Sequence, residues 1–185
     1  VQDLSEQWLP FSAELDSFGD DRYQALKPLI LEASIADLQA AVAAGDLDYA
    51  TITTFYLYRI REIESDSSRF LNGVIALNPN AINRARELDA ARRQALEMGR
   101  DPIYGIPVLL KDNINAAGMA TTAGAVALLN NHTGDAFITG QLRDKGAIIL
   151  GKANLSEWAY YFCGDCPSGY SAVGGQTLNP YGRLE

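Results

Sequence analysis

The chain has 185 residues, of which 48% are hydrophobic and 21% are charged, and these values suit one globular domain with a substantial core. The formal net charge of −8 argues against nucleic acid and anionic membranes as partners, because both reward basic patches. Its longest apolar runs, such as 106–110, have the length of a buried strand and are too short to span a membrane.

The N-terminus does not identify the compartment. The first residue is Val1, which indicates a cloning boundary or a processing site, and the polar residues after it do not resemble a signal peptide. A signal that had already been removed would leave no trace, so both a cytoplasmic and an exported protein are compatible with the sequence.

One domain, or part of one, is predicted after an N-terminal arm. Residues 1–33 lack sustained periodicity, which is typical of an arm or a poorly determined helix. Regular patterning begins at Ser34, and no repeat or low-complexity linker divides residues 34–185.

Three helices and one strand are predicted in the first half of the chain. Ser34, followed three residues later by an acidic side chain, resembles a helix cap, and Gly45 provides the end of that helix. A second helix is predicted over about 48–64, a strand over 70–77 and a long helix over about 80–98. The alternating charges of the long helix indicate a solvated face.

The second half favours a parallel sheet. Continuous apolar strands are predicted over 104–110 and 147–150, with an amphipathic helix over 133–145 between them. This order predicts a βαβ crossover and a sheet covered by helices on both faces. The residues after Asn154 are rich in Gly, Ser, Pro, Tyr and Asn and are predicted to form loops.

Two motifs of other enzyme classes are matched only in part. Residues 146–153 resemble a phosphate-binding loop, but apolar strand formers fill its centre and Ala153 lacks the hydroxyl that binds magnesium. Residues 169–174 are one position too long for a G-x-S-x-G nucleophile turn and lack the preceding strand.

Cys163 and Cys166 form a C-x-x-C pair without the further ligands that a zinc site needs. Free thiols, a local disulfide, and a metal or redox role all stay open for this pair.

Lys111 directly follows the apolar strand and is therefore placed at its carboxyl end, where α/β sheets carry catalytic groups. Apolar surroundings disfavour the charged form of a lysine, and a neutral lysine can accept a proton. The alternative is a lysine that reaches water or pairs with Asp112.

Several further segments continue one pattern in register with this lysine. They read YGIPVLLKDNI at 104–114, TTAG at 121–124, LRDKGA to LGKANLSEWA at 142–159, SGYS at 168–171 and GGQTLNPY at 174–181. Together they resemble the amidase signature family over about residues 35–180. Within that family, the amino-acid sequence of these segments is most similar to peptide amidase-like members.

The resemblance implies an α/β fold with a mixed sheet covered by helices on both faces, present here as an incomplete N-terminal portion. It also implies hydrolysis of a carboxamide C–N bond to an acid and ammonia or an amine, through a Ser–cis-Ser–Lys triad and an acyl-enzyme. Lys111 is then the catalytic general base, and neither a metal nor an organic cofactor is needed.

Both serines of that triad are expected beyond Glu185, because the serine-rich loop of the family follows Asn-Pro-Tyr and no serine of this chain matches it. The chain alone is therefore expected to be inactive. Further pocket or supporting positions are assigned by the resemblance to Asp112, Asn113, Thr122, Gly124, Gly175 and Gln176, whereas Lys152, Asn154 and Glu157 are expected to be structural.

The expected partners are a small-molecule or peptide amide, and the missing C-terminal portion or a second copy that covers exposed sheet surface. The competing hypothesis is a short, non-catalytic protein that binds a ligand or partner through an amidase-like surface.

Overall fold

A three-stranded mixed sheet lies at the centre of the chain in the computed structural model, which describes residues 5–94, 101–162 and 165–182. Its strands are β1 (Val74–Leu77), β2 (Pro107–Lys111) and β3 (Ile148–Ala153), in the spatial order β1–β3–β2. β3 runs parallel to β2 and antiparallel to β1. The sheet is therefore mixed, as the family resemblance implies.

Five α-helices surround this sheet in the described residues. They are α1 (Ser12–Ile30), α2 (Ile35–Ala44), α3 (Tyr49–Glu64), α4 (Ala81–Gln94) and α5 (Phe137–Asp144). Short 3₁₀ turns occupy Ser5–Phe11, Val126–Leu128 and Glu157–Tyr160, and a small hairpin pairs β4 (Tyr170–Ser171) with β5 (Gly175–Gln176). Because α5 connects the parallel strands β2 and β3, the predicted βαβ crossover is confirmed.

Alternate residues of β3 face two separate apolar clusters. Ile148 and Leu150 belong to the large cluster formed with α1, α3 and α4. Ile149 packs on the other face with Leu110 of β2, and Leu142 of α5 lies against this second cluster. Helices therefore cover both faces of the sheet, which the continuous apolar strands predicted.

The start of α2 shows the predicted cap. The Ser34 hydroxyl accepts a hydrogen bond from the Asp37 N–H at 3.2 Å, and the Asp37 carboxylate accepts one from the Ser34 N–H at 3.1 Å. The Asp37 carboxylate also accepts from the Ser34 hydroxyl at 2.6 Å, and the bonds that it accepts from the Ser34 hydroxyl and N–H lower the pKa of Asp37. Asp48 caps α3 through a single bond, which its carboxylate accepts from the Thr51 N–H at 2.7 Å.

The N-terminal residues pack into the core in place of the separate arm considered for residues 1–33. α1 buries Leu15, Phe18 and Tyr23, and the ring of Tyr23 stacks on Phe55 of α3 with their centroids 4.8 Å apart. Of the two alternatives offered by the sequence, a helix is therefore present from Ser12.

Several boundaries differ from the predictions, and β2 begins at Pro107 rather than at residue 104. α5 begins at Phe137 rather than at residue 133, and β3 continues past residue 150 to Ala153. The strand predicted over 70–77 is limited to Val74–Leu77. The last residues of the helix predicted over 80–98 lie outside the described part of the chain.

Asp89 of α4 is a further correction, since it belongs to the charged series that predicted a solvated face. It is buried, and its two carboxylate oxygens accept hydrogen bonds from the Tyr49 and Ala50 N–H groups, both at 3.0 Å. Asp89 thus satisfies donors at the first turn of α3, where a negative charge is favourable. From the sequence alone, a buried acidic residue that caps another helix looks the same as its solvated charged neighbours. The two can be distinguished only when the position of the capped helix is known.

Within the described ranges, no helix has both the length and the apolar character to cross a membrane.

Cys166 is disulfide-bonded, so the free-thiol alternative does not hold for it, and Cys163 lies outside the described residues.

Candidate active site

Lys111 is the last residue of β2 and lies opposite Ala153 of β3. Its carbonyl accepts a hydrogen bond from the Ile114 N–H at 2.9 Å, so the chain turns immediately after the strand. The side chain is exposed. The apolar surroundings expected for Lys111 are therefore not provided by the described residues.

Asp112, the next residue, is fully buried and joins the strand end to the turn at 121–124. Its carboxylate accepts hydrogen bonds from both the N–H and the hydroxyl of Thr122, and its main-chain carbonyl accepts one from Ala123 at 2.9 Å. The Thr122 hydroxyl in turn accepts from the Gly124 N–H at 3.0 Å. The sequence assigned Asp112, Thr122 and Gly124 to the site, and the structure brings these three together.

Lys152 is the buried lysine of this region, with no exposed surface. Its ammonium group contacts the Asp112 carboxylate at 3.4 Å, the Ile114 carbonyl at 2.8 Å and the Thr121 hydroxyl at 2.9 Å. Burial lowers the pKa of Lys152, and the negative charge of Asp112 opposes that shift. Because Gly151 and Lys152 lie within β3, the partial phosphate-loop motif forms a strand, as its apolar centre predicted.

Two left-handed turns meet beside this buried pair. Ala123 and Gly124 have φ values of 50° and 75°, and Trp158 to Tyr160 have positive φ values in succession. The turns are joined by a hydrogen bond from the Trp158 N–H to the Ala123 carbonyl at 2.9 Å. Such backbone conformations are costly for residues other than glycine and concentrate at functional sites.

Asn154 connects the end of β3 to the β4–β5 hairpin. Its amide nitrogen donates to the carbonyls of Asn72 at 2.9 Å and Gly175 at 3.2 Å and to the Thr177 hydroxyl at 3.1 Å. Its side-chain oxygen accepts from the Ser171 hydroxyl at 2.8 Å. Gly175 is thereby held near the end of β3, the strand that pairs with the one ending at Lys111.

The side chains of Asn113 and Gln176 do not join this cluster. The Asn113 side chain is exposed. The Gln176 amide donates to the carbonyl of Ser168, just before β4, at 2.6 Å. Their assignment to the pocket stays a prediction.

Lys152 and Asn154 received only a structural role from the sequence, although both organise the strand end. For Lys152 a signal was present, because a lysine inside an apolar strand requires a buried carboxylate partner. The sequence alone could not identify that partner, because Asp112 is forty positions away along the chain. In the described part of the chain, no group of three or more His, Cys, Asp or Glu side chains could hold a metal ion.

The parallel strands β2 and β3 end beside a cluster of loops, and Lys111 lies at the carboxyl end of β2, where α/β sheets commonly bind ligands. A family model named Amidase matches residues 51–184, which is most of the chain. The chain therefore belongs to the amidase signature family.

Individual relatives agree with this assignment. A Schizosaccharomyces pombe protein named as an amidase is 39% identical over 81% of this chain and 25% of its own length. A solved amidase family protein from Bacillus anthracis has a TM-score of 0.89 and 38% identity, over 99% of this chain and 36% of that one. The solved peptide amidase of Stenotrophomonas maltophilia has a TM-score of 0.78 and 51% identity, over 83% of this chain and 31% of that one.

The chain thus spans between about a quarter and slightly more than a third of these proteins. The similarity of fold also identifies the sheet as that of the amidase signature family.

Proposed function

We propose that this chain is the lysine-bearing part of an amidase that hydrolyses a carboxamide to an acid and ammonia or an amine. The observation that carries the proposal is the position of Lys111, which ends a strand of the family fold beside a backbone held by Asp112. In the Ser–cis-Ser–Lys mechanism, the neutral lysine takes a proton through the bridging serine while the second serine attacks the carbonyl carbon. Water then releases the acid from the acyl-enzyme.

The mechanism needs two serines that residues 1–185 do not supply, so we propose that the 185-residue chain alone is inactive. The exposed side chain of Lys111 supports this view, because the described residues leave it open to solvent. Covering it with further protein would provide the dry surroundings that the mechanism requires.

For the substrate, we propose a C-terminally amidated peptide. The support is the 51% identity with a peptide amidase, which is the relationship most informative about the substrate. Fatty amides, aryl amides and aminoacyl-tRNA amides are the alternatives, and the net charge of −8 makes the last a poor fit.

The test begins with the coding sequence, which would be read beyond the codon for Glu185. A continuing frame with a Gly-Ser-Ser segment is expected. The protein encoded by the whole frame would then be assayed for ammonia release from an amidated dipeptide, a fatty amide and an aryl amide. Lys111→Ala is expected to lower kcat/KM about 10²–10⁴-fold, the usual contribution of a general base.

Lys145→Ala is the matched control, because Lys145 is a surface lysine paired with Asp101 at 2.8 Å. Its activity should remain at the unmodified level. Retained hydrolysis by the Lys111→Ala protein would refute the catalytic assignment. A stop codon directly after Glu185, together with ligand binding without turnover, would favour the non-catalytic alternative.

A further inference from the structure

Lys152 and Lys111 lie on adjacent strands but on opposite faces of the sheet. Lys152 is paired with Leu110 in the register of β2 and β3, and Lys111 is the following residue. Since successive side chains of a strand alternate between faces, Lys152 shares the face of Leu110 and Lys111 takes the other. A residue that is fully buried on the opposite face cannot touch the substrate of Lys111.

The contacts of Lys152 nevertheless all lie in the loop that follows Lys111. An ammonium group has three donors, and these are directed to Asp112, to the Ile114 carbonyl and to the Thr121 hydroxyl. The Asp112 carboxylate and the Ile114 carbonyl can only accept. The three donors of the ammonium group thus match three polar partners, and two of these can only accept.

Two paths connect this ammonium group to the backbone of Lys111. Asp112 is covalently next to Lys111, and it also binds Thr122 across the loop. Ile114 donates its N–H to the Lys111 carbonyl at 2.9 Å while its own carbonyl is held by Lys152. The direction of the backbone at Lys111 thus depends on the ammonium group of Lys152, which is buried on the other face of the sheet.

We propose that Lys152 is a positioning residue, which fixes the strand end at Lys111 through Asp112 and the Ile114 carbonyl. The proposal rests on the proposed function of Lys111 as the general base. Fixing the Cα and carbonyl of Lys111 limits the volume that its flexible side chain can sample, and proton transfer is sensitive to displacements of about 1 Å. Removal of Lys152 should therefore lower kcat and leave KM nearly unchanged.

The experiment uses the whole protein, an amidated dipeptide as substrate, and the substitution Lys152→Met. Methionine keeps the length and apolar stem of the side chain and removes all three donors. The kcat per folded molecule is expected to fall about 10²-fold, with KM within about threefold of the unmodified value. A kcat within threefold of the unmodified value would overturn the proposal.

The variant Asp89→Asn distinguishes positioning from a purely structural role. It weakens the hydrogen bonds that the buried Asp89 carboxylate accepts from two N–H groups, at a place remote from the strand end. Both variants would be assayed well below their melting temperatures. Asp89→Asn should lower the melting temperature without lowering kcat per folded molecule. An equal loss of kcat in both variants would show a general effect of destabilisation and would refute positioning.

A double-mutant cycle tests the route through Asp112. If Lys152 acts through that carboxylate, Asp112→Asn with Lys152→Met should be no worse than the poorer single variant, because neighbours in one network are not additive. A loss of kcat in the double variant equal to the product of the two single losses would contradict that route.

Two further measurements keep the test decisive. Should Lys152→Met not fold, Thr121→Val removes one acceptor of the ammonium group from a buried site, and a five- to tenfold loss of kcat is then expected, while an unchanged kcat overturns the proposal. Lys111→Ala is assayed in parallel. Retained activity there refutes the proposed function itself, whereas loss there with full activity in Lys152→Met refutes only the positioning role.

Discussion

Gly124 and Ser171 pack so closely that a side chain on the glycine would overlap the β-carbon of the serine. Gly124 also has a φ of +75°, which residues with a β-carbon adopt at a cost of roughly 1–2 kcal/mol. Overpacking adds about 1–3 kcal/mol. Gly124→Ala is thus expected to lower the free energy of unfolding by about 2–5 kcal/mol in urea denaturation.

Gly118 provides the control for that substitution. Its φ is +86°, but a β-carbon there would meet no atom within 4 Å. Gly118→Ala should therefore show only the conformational cost of about 1–2 kcal/mol. Equal losses in the two variants would show that the contact with Ser171 contributes nothing.

The cap of α2 makes a separate prediction. Ser34→Ala removes the hydroxyl that accepts from the Asp37 N–H, and the expected loss is about 0.5–2 kcal/mol in the free energy of unfolding. Ser67→Ala, an exposed position in the turn after α3, is the control and should be neutral, because surface substitutions away from caps change the free energy of unfolding by about 0.5 kcal/mol or less. A melting temperature unchanged by Ser34→Ala would argue that the cap is dispensable.

The buried charge of Lys152 predicts a dependence of stability on pH. Burial lowers the pKa of Lys152 below its ordinary value, so the unfolded chain binds more protons than the folded chain between the folded and unfolded pKa values. The contribution of this group to the free energy of unfolding must then rise with pH through that window and level off above it.

Urea denaturation of the unmodified chain and of Lys152→Met at several pH values from 8 to 11 isolates this contribution, because the other titrating groups are common to both. The difference in free energy of unfolding between them is expected to increase with pH. A difference that declines over the same range would mean that Asp112 outweighs the burial.

Self-association of the isolated 185-residue chain is a further prediction. Phe137 and Ile138 at the start of α5 are 84% and 54% exposed, and Leu109 is 39% exposed on β2, which is at the edge of the described sheet. Exposed apolar surface beside an unpaired strand edge favours association. Sedimentation should show a mass that increases with concentration.

Phe137→Ser with Ile138→Ser is expected to reduce this association. Leu9→Ser is the control, since Leu9 is similarly apolar and 70% exposed but lies in the N-terminal turn. A strictly monomeric chain of high thermal stability would contradict the prediction.

The sequence predicted those parts of the fold that depend on local patterns. The Ser34 cap, the helix over 48–64 and the crossover from β2 to β3 each follow from spacing, turn residues or apolar runs within a few positions. The assignment of Lys111 to a strand end came from such a run together with the family motif. These features need no knowledge of distant residues.

Features that depend on distant partners could not be predicted in this way. Asp89 resembles its solvated neighbours along α4, and only the packing of α3 shows that it is a buried acceptor. Similarly, the sequence favoured apolar surroundings for Lys111, yet the lysine that is buried is Lys152. Which face of a strand is covered depends on tertiary structure.

The hydrogen bonds around Asn72 also constrain the order in which this region can form. The Asn72 amide donates to the Gln176 carbonyl, 104 positions later, and the Thr177 hydroxyl donates back to Asn72. Closing so long a loop is slow, and non-local contacts of this kind form late. During synthesis on the ribosome, the early helices can collapse well before residue 176 has emerged, whereas the hairpin that supports the strand end must wait for it.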